Sequence, residues 1–597
     1  MLMRSILLVL IGLLPVVLVA WVVARYALNL PYWDDYLVQE HLAMLNAQGS
    51  RSQKLVHFFD QHWEHRIVWT RAVFFAFFKL NGSLNYVGLT VIGVSGLVGI
   101  SVILFGVFRQ TRLSLWYFLP IPFWLFTLQS HENLLWGMAS IQNFWVLVFA
   151  LGSFWALAQP GKTRTGQGLW RAVALVLAVL ATFTSGNGAL VPIAGGLVLV
   201  WQAVRRRTTW MFVAVWALVS VVSIGGYFYG YQRVTFFPSP FNYPFTAWIQ
   251  AFFVFFGGFA DPFPYSGAAA FGYDNPLWIS TLVGALLVTG AGWLVLSFVV
   301  PLAGFVSPTT GRISEGAGHE LPPVVGLIKS PNDAQRVTTN DSVANNGPHL
   351  TNDFFLGCAL FLLATAVITV YSRVGFAGPG YLLQGRYKIY SALMLSVVYL
   401  FVMPKCRLAV IIISLTIPFS LFSDYLCLEG IINQHRRTTA DYFNFITNES
   451  VQRQRAAAQV FVPTKPTFFA GQTGQLTVAS WLTAPITTTV EPIDEKRFLY
   501  DIPKADALNP TPATPTDGSY IVVKSDRHTY LFNARPLRPS PMALSGFDGY
   551  FRANGIHAQV LKEHLQPGRY RIGVLTNRQG QLRLAMTNRF VTFTALQ

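Results

Sequence analysis

Residues 32–36 read YWDDY, so two adjacent carboxylates, Asp34 and Asp35, follow shortly after an apolar run in a chain with only 12% charged residues. A carboxylate without a partner is costly wherever water is scarce, so adjacent aspartates at such a place need a reason. Carboxylates can take a proton from an attacking hydroxyl or hold a divalent cation through oxygen. They can also cap a helix, here the one suggested by LVQEHLAML (37–45).

Other groups suited to chemistry recur at the ends of apolar segments. HWEHR (62–66) supplies Glu64, His65 and Arg66. SHEN (130–133) supplies His131 and Glu132, and SGNG (185–188) supplies Asn187. Further on come Arg373, Arg386, Tyr387 and Lys388. Arginine offers a two-pronged fork to phosphate, and lysine a point charge. A carboxylate beside a phosphate clamp at a membrane edge suits transfer from a lipid-phosphate donor, with the lipid tail between apolar helices. Asp34, Glu132 and His131 form the candidate metal set. His62 and His65 stand at helical i, i+3 spacing, but HWEHR lacks the HExxH pattern of zinc proteases.

These residues must be held by membrane helices. The chain has 597 residues, 53% hydrophobic and 15% aromatic. Apolar runs recur from residue 5 to 424, and a bilayer core of about 30 Å needs about 20 apolar residues per helix. The reading is a polytopic α-helical membrane protein of about 11 transmembrane helices. The spans are 5–24, 86–108, 114–128, 139–158, 170–186, 188–204, 209–229, 277–304, 354–372, 388–403 and 407–424. Segments 66–80 and 246–260 are taken as interfacial or re-entrant. The basic loops RQTR (109–112), GKTR (161–164), RRR (205–207) and PKCR (404–407) then fall inside, and the candidate site residues outside. The net charge of +17 is thereby explained without nucleic acid as a partner. The three cysteines imply no disulfide framework.

Residues 1–430 form the membrane domain, with a first outer loop at 27–80 and a flexible polar loop at 306–352. A connecting helix or linker at 431–464 leads to a C-terminal soluble domain at 465–597. Short alternating segments such as SYIVVKSD and YRIGVLT predict a β-sandwich there.

A first span, a long outer loop opening on an acidic pair, a second acid in the loop that carries Glu132, and late arginines together resemble the GT-C superfamily of membrane glycosyltransferases. The resemblance implies an inverting enzyme in a cytoplasmic (inner) membrane. Such an enzyme moves a hexosyl or pentosyl group from a polyprenyl-phosphate donor to a glycan, lipid or protein acceptor on the outer side. It implies a catalytic role for Asp34 or Asp35, with a divalent cation, Mg or Mn, as the cofactor such a site would take. Arg373, Arg386, Tyr387, Lys388, Glu64, His65, Arg66 and Asn187 would then contact donor or acceptor, and the C-terminal domain would lie outside. The WWD signature of oligosaccharyltransferases is absent, which disfavours transfer to asparagine. The alternatives are a polysaccharide polymerase or ligase, or a transporter of lipid-linked glycans.

Overall fold

Seventeen helices and seven strands can be placed in the computed structural model. It describes residues 2–46, 49–159, 163–235, 237–264, 277–303, 347–405, 409–462, 490–495, 499–505, 514–537 and 555–594. The helices are α1 (Leu2–Tyr26), α2 (Asp35–Asn46), α3 (Arg51–Phe58), α4 (Val68–Asn81), α5 (Tyr86–Gln110), α6 (Pro120–Leu125), α7 (His131–Leu134), α8 (Gly137–Leu157) and α9 (Arg164–Thr182). Then follow α10 (Leu190–Val204), α11 (Trp210–Phe228), α12 (Phe245–Gly257), α13 (Leu277–Ala303), α14 (Gly347–Ala377), α15 (Gly385–Val402), α16 (Ala409–Asn448) and α17 (Val451–Ala458).

Among the described residues, nine helices are long and apolar enough to cross a membrane: α1, α5, α8, α9, α10 with the 3₁₀ turn before it, α11, α13, α14 and α16. The chain is a multi-pass membrane protein. Water would not tolerate the surfaces of α1 and α11, where Leu10, Leu14, Val17, Leu218, Val221 and Val222 are exposed. A lipid surround would. The 114–128 stretch is not a single span, because Pro120 and Pro122 break it into a 3₁₀ turn (Leu115–Phe118) and α6. α15 has 18 residues, close to spanning length, with Arg386 and Lys388 in its first turn.

Helix contacts follow membrane rules, in which small residues let backbones approach. α5 lies on α8 with Gly93 against Ser140 and Gly96 against Phe144; a Cβ on Gly93 would come within 2.0 Å of the Ser140 hydroxyl. α12 has 13 residues, about 20 Å of helix, too short for the bilayer core. It pairs with α13 so tightly that a Cβ on Gly257 would stand 1.8 Å from the Ser280 carbonyl. Segment 246–260 is therefore a short packed helix, as its glycines and length suggest. α4, at 14 residues, is likewise short.

Helix ends gather at one face. There the Asn29 amide oxygen accepts from Tyr86 N–H at the start of α5 (2.8 Å), and Trp69 N–H donates to Phe183 O at the end of α9 (3.2 Å). At the other face Asp353 accepts from Gln202 (3.0 Å) and Arg207 (2.9 Å), joining α10 to the start of α14. Polar loop residues 306–346 lie outside the described residues, and 347–352 already belong to α14.

α16 runs for 40 residues, so 431–448, expected as a connecting helix or linker, is the helical continuation of a membrane helix. Its polar second half carries the C-terminal sheet. Strands β1 (Asp494–Glu495), β2 (Leu499–Ala505), β3 (Gly518–Lys524), β4 (Thr529–Pro536), β5 (Ile556–Leu561), β6 (Gly568–Arg578) and β7 (Gln581–Phe593) pair antiparallel in the order β1-β2-β5-β4-β3-β6-β7. Among the described residues this is one seven-stranded sheet, not the two facing sheets of a sandwich. The cover on one face is a helix. Tyr520, Val522, Leu531 and Leu575 pack on Ala440 and Phe443 of α16, while Ile521, Val523, Tyr530 and Val574 face a second apolar cluster. Asn444 makes the join specific, accepting from Leu531 N–H (2.7 Å) and donating to Leu531 O (2.8 Å). The sheet thus sits on the same face as the first loop, where Gln39 of α2 donates to Ala457 O of α17 (3.2 Å).

Candidate active site

Adjacent aspartates at a helix start point different ways, and here they do different work. Asp35 opens α2 and is 1% exposed. One of its oxygens accepts from Tyr32 N–H and the other from Met138 N–H at the start of α8, both at 3.1 Å. Burial outweighs these bonds and pushes its pKa up to about 8. Both oxygens are committed to backbone, so Asp35 ties the loop to α8. Asp34 precedes the helix and is 32% exposed. Its Oδ1 accepts from the Trp63 indole N–H at 3.1 Å, and its Oδ2 stands 4.0 Å from His62 Nε2. Partial burial lifts its pKa above the ordinary 3.8, opposed by the Trp63 bond and the positive charges of Arg386 and Arg373.

The HWEH segment is a tight turn, not a helix. His62 and His65 exchange two backbone hydrogen bonds (2.7 and 2.8 Å), and Trp63 has φ +50°. The i, i+3 spacing of the histidines is therefore the width of a two-residue hairpin. The turn sends Glu64 across to Arg373 in a two-pronged ion pair, Nη2 to Oε1 and Nη1 to Oε2 (3.3 Å). His65 Nε2 lies 3.4 Å from Glu64, and its ring packs on Gly186, where a Cβ would meet Nδ1 at 2.6 Å. Arg66 turns away from this side. It is 8% exposed, and its guanidinium donates to the carbonyls of Phe59, Tyr227 and Tyr229, closing the C-terminal end of α11. Its guanidinium is thus spent on backbone carbonyls and holds the loop to the end of α11.

Arg373 and Arg386 converge on Tyr387. The Tyr387 hydroxyl accepts from Arg373 Nε at 3.1 Å, and the Arg386 guanidinium lies over the Tyr387 ring at 5.2 Å. Arg386 also donates to the Tyr381 hydroxyl (3.1 Å), while Arg373 lies between Phe237 and Phe376 (5.5 and 5.8 Å). Glu132 accepts the backbone N–H of Arg386 at 3.0 Å, a carboxylate at the start of α15 where the helix dipole favours it. Burial raises its pKa, but the Arg386 charge and N–H outweigh that and hold it below the ordinary value.

Two expected contributors lie elsewhere in role. Lys388 is 2% exposed, and its ammonium donates to Asp261 Oδ2 (3.2 Å), Asp261 O (2.6 Å) and Phe263 O (2.9 Å). All three donors are used, so it fastens the chain after α12 and offers nothing to a phosphate. Asn187 is buried and donates to the Tyr390 hydroxyl at 3.0 Å, joining α10 to α15. His131 is buried against Gly385 and Gly430, and burial drops its pKa to about 4. Among the described residues no three of His, Cys, Asp and Glu form a group able to hold a metal ion. Asp34, His131 and Glu132 thus do not fit a common cation: Glu132 is turned to Arg386 and Asp34 to Trp63.

Three further residues belong to the site. Trp63 lies inside HWEHR, where an indole carries no chemical signal of its own. Tyr381 lies in a turn before Arg386. Arg437 of α16 lies over the Trp33 ring at 4.6 Å, and only its pairing with Arg436 beyond an apolar run marks it in the sequence.

No family model and no curated protein matches the chain. Its structure is similar to the apo crystal structure of an oligosaccharyltransferase from Archaeoglobus fulgidus, with a TM-score of 0.34 and 12% identity, covering 76% of this chain. The match spans 60% of that chain's length.

Proposed function

We propose that this protein is a membrane glycosyltransferase of the GT-C type, which moves a sugar from a polyprenyl-phosphate donor to an acceptor hydroxyl on the extracytoplasmic side. One observation carries the reading: a partly exposed carboxylate, Asp34, lies within the field of two arginines, Arg373 and Arg386, that share a tyrosine at the ends of apolar helices. Asp34 takes the proton from the acceptor hydroxyl. The freed oxygen attacks the anomeric carbon, the bond from that carbon to the phosphate oxygen breaks, and the lipid phosphate leaves with the electron pair. A single displacement inverts the configuration. Arg373 and Arg386 stabilise the phosphate charge as it develops. No step is assigned to a divalent cation. The basic residues at the opposite helix ends follow the positive-inside tendency, which supports a cytoplasmic assignment for that face and an outer one for the site and sheet.

The test uses purified full-length protein in detergent with a panel of polyprenyl-phosphate sugars and simple glycan or lipid acceptors. Release of lipid phosphate by wild type, and its loss in Asp34→Asn and Arg386→Ala with the fold intact, supports the reading. Equal release by all three proteins overturns it.

A further inference from the structure

Trp63 combines features that a purely structural tryptophan does not need. It stands at the tip of a two-residue turn with φ +50°, a conformation unfavourable for a bulky side chain. The turn holds it there through the His62–His65 bonds and through Gln61, which donates to Trp63 O and to Gln232 O and accepts from Gln232 N–H. The result is an indole that remains 43% exposed yet directs its one N–H at Asp34.

The other groups facing Asp34 do not supply this contact. His62 is buried and, at 4.0 Å, beyond hydrogen-bond reach; burial drops its pKa to about 3, so it is neutral. Asp35 is a neighbouring acid held by backbone donors. Arg373 and Arg386 act on Asp34 through their charge, while they are bonded to Glu64, Tyr387 and Tyr381. The Trp63 bond engages Oδ1 of a side chain that is 32% exposed, while Oδ2 stands 4.0 Å from His62 Nε2, beyond hydrogen-bond reach.

We propose that Trp63 is the positioning residue for Asp34, its indole N–H fixing Oδ1 so that Oδ2 meets the acceptor hydroxyl. This rests on the glycosyltransferase reading for its catalytic use, but the contact itself is testable without turnover.

The full chain is labelled with 5-fluorotryptophan in detergent, and the Trp63 fluorine signal is assigned by its loss in Trp63→Phe. The signal is expected to shift with a midpoint above the ordinary aspartate range, and the shift is expected to vanish in Asp34→Asn. A signal that follows neither pH nor that substitution overturns the contact. In turnover, Trp63→Phe keeps the ring and removes the donor. Its kcat is expected to fall about ten- to a hundredfold with little change in acceptor KM. Its acid limb moves to higher pH, because the lost bond favoured the charged carboxylate. Wild-type kcat and pH limb in Trp63→Phe overturn the positioning role. A titrating signal in a protein whose Asp34→Asn variant is fully active overturns the catalytic use and leaves the contact standing.

Discussion

Glu64 and Arg373 are 309 positions apart in the chain and meet as a two-pronged ion pair beside the Tyr387 hydroxyl. The fork that grips the Glu64 carboxylate is the one a phosphate would use, since both offer paired oxygens to a planar guanidinium. On the proposed function, Glu64 would compete with the donor for Arg373. Replacing it by glutamine weakens the competitor, and the donor KM of Glu64→Gln is expected to fall several-fold. Arg373→Lys keeps the charge and loses the fork, and its donor KM should rise about tenfold. Steady-state kinetics over a donor series check both; unchanged KM in the two variants would remove Arg373 from the phosphate site.

The two aspartates of YWDDY should separate cleanly. Asp34→Asn removes the proposed proton acceptor, and kcat is expected to fall by about 10²–10⁴ with thermal stability unchanged. Asp35→Asn does the reverse. An asparagine amide accepts from one of the Tyr32 and Met138 N–H groups and sets its own NH₂ against the other. That costs about 1–3 kcal/mol of stability, while kcat of the folded fraction is kept. Thermal melts alongside turnover distinguish the two, and the same profile for both variants would refute the division of labour.

The sequence shows the membrane helices because lipid demands long apolar runs, and it shows YWDDY because charge is scarce. It does not show which aspartate faces the site, since that depends on Met138, 103 residues away. Nor does it separate a helix from a two-residue turn in HWEH. Both put His62 and His65 together, and no glycine or asparagine announces the positive φ of Trp63. The β-sandwich expectation has a similar origin. β3 is apolar on both faces, which implies two covers, but sequence alone does not reveal that one cover is α16. In the sequence Lys388 reads as a phosphate ligand because its partner, Asp261, sits beyond α12 without a motif.

The raised pKa of Asp35 has a consequence for stability. Its folded value is about 8, above the unfolded carboxylate value, so the folded state binds the extra proton between the two. Stability from this group is present below the unfolded pKa and is lost as pH rises toward about 8. Thermal midpoints measured from pH 5 to pH 8 should therefore fall more in wild type than in Asp35→Asn, which has no proton to lose. Parallel pH dependence in the two proteins would contradict a buried, proton-binding Asp35.

Lys388 and Asp261 form a charge pair that is buried on both sides, with side-chain exposures of 1% and 4%. Removing the lysine leaves a carboxylate in an apolar surround, and Lys388→Met should cost about 3–5 kcal/mol. Removing both charges relieves that penalty, so Lys388→Met with Asp261→Asn is expected to recover most of the loss. Because the ammonium is spent on Asp261 and Phe263, the donor KM of the double variant should match wild type. Melting curves and donor titrations of the single and double variants test this together. A stable single variant with a greatly raised donor KM would return Lys388 to the phosphate site.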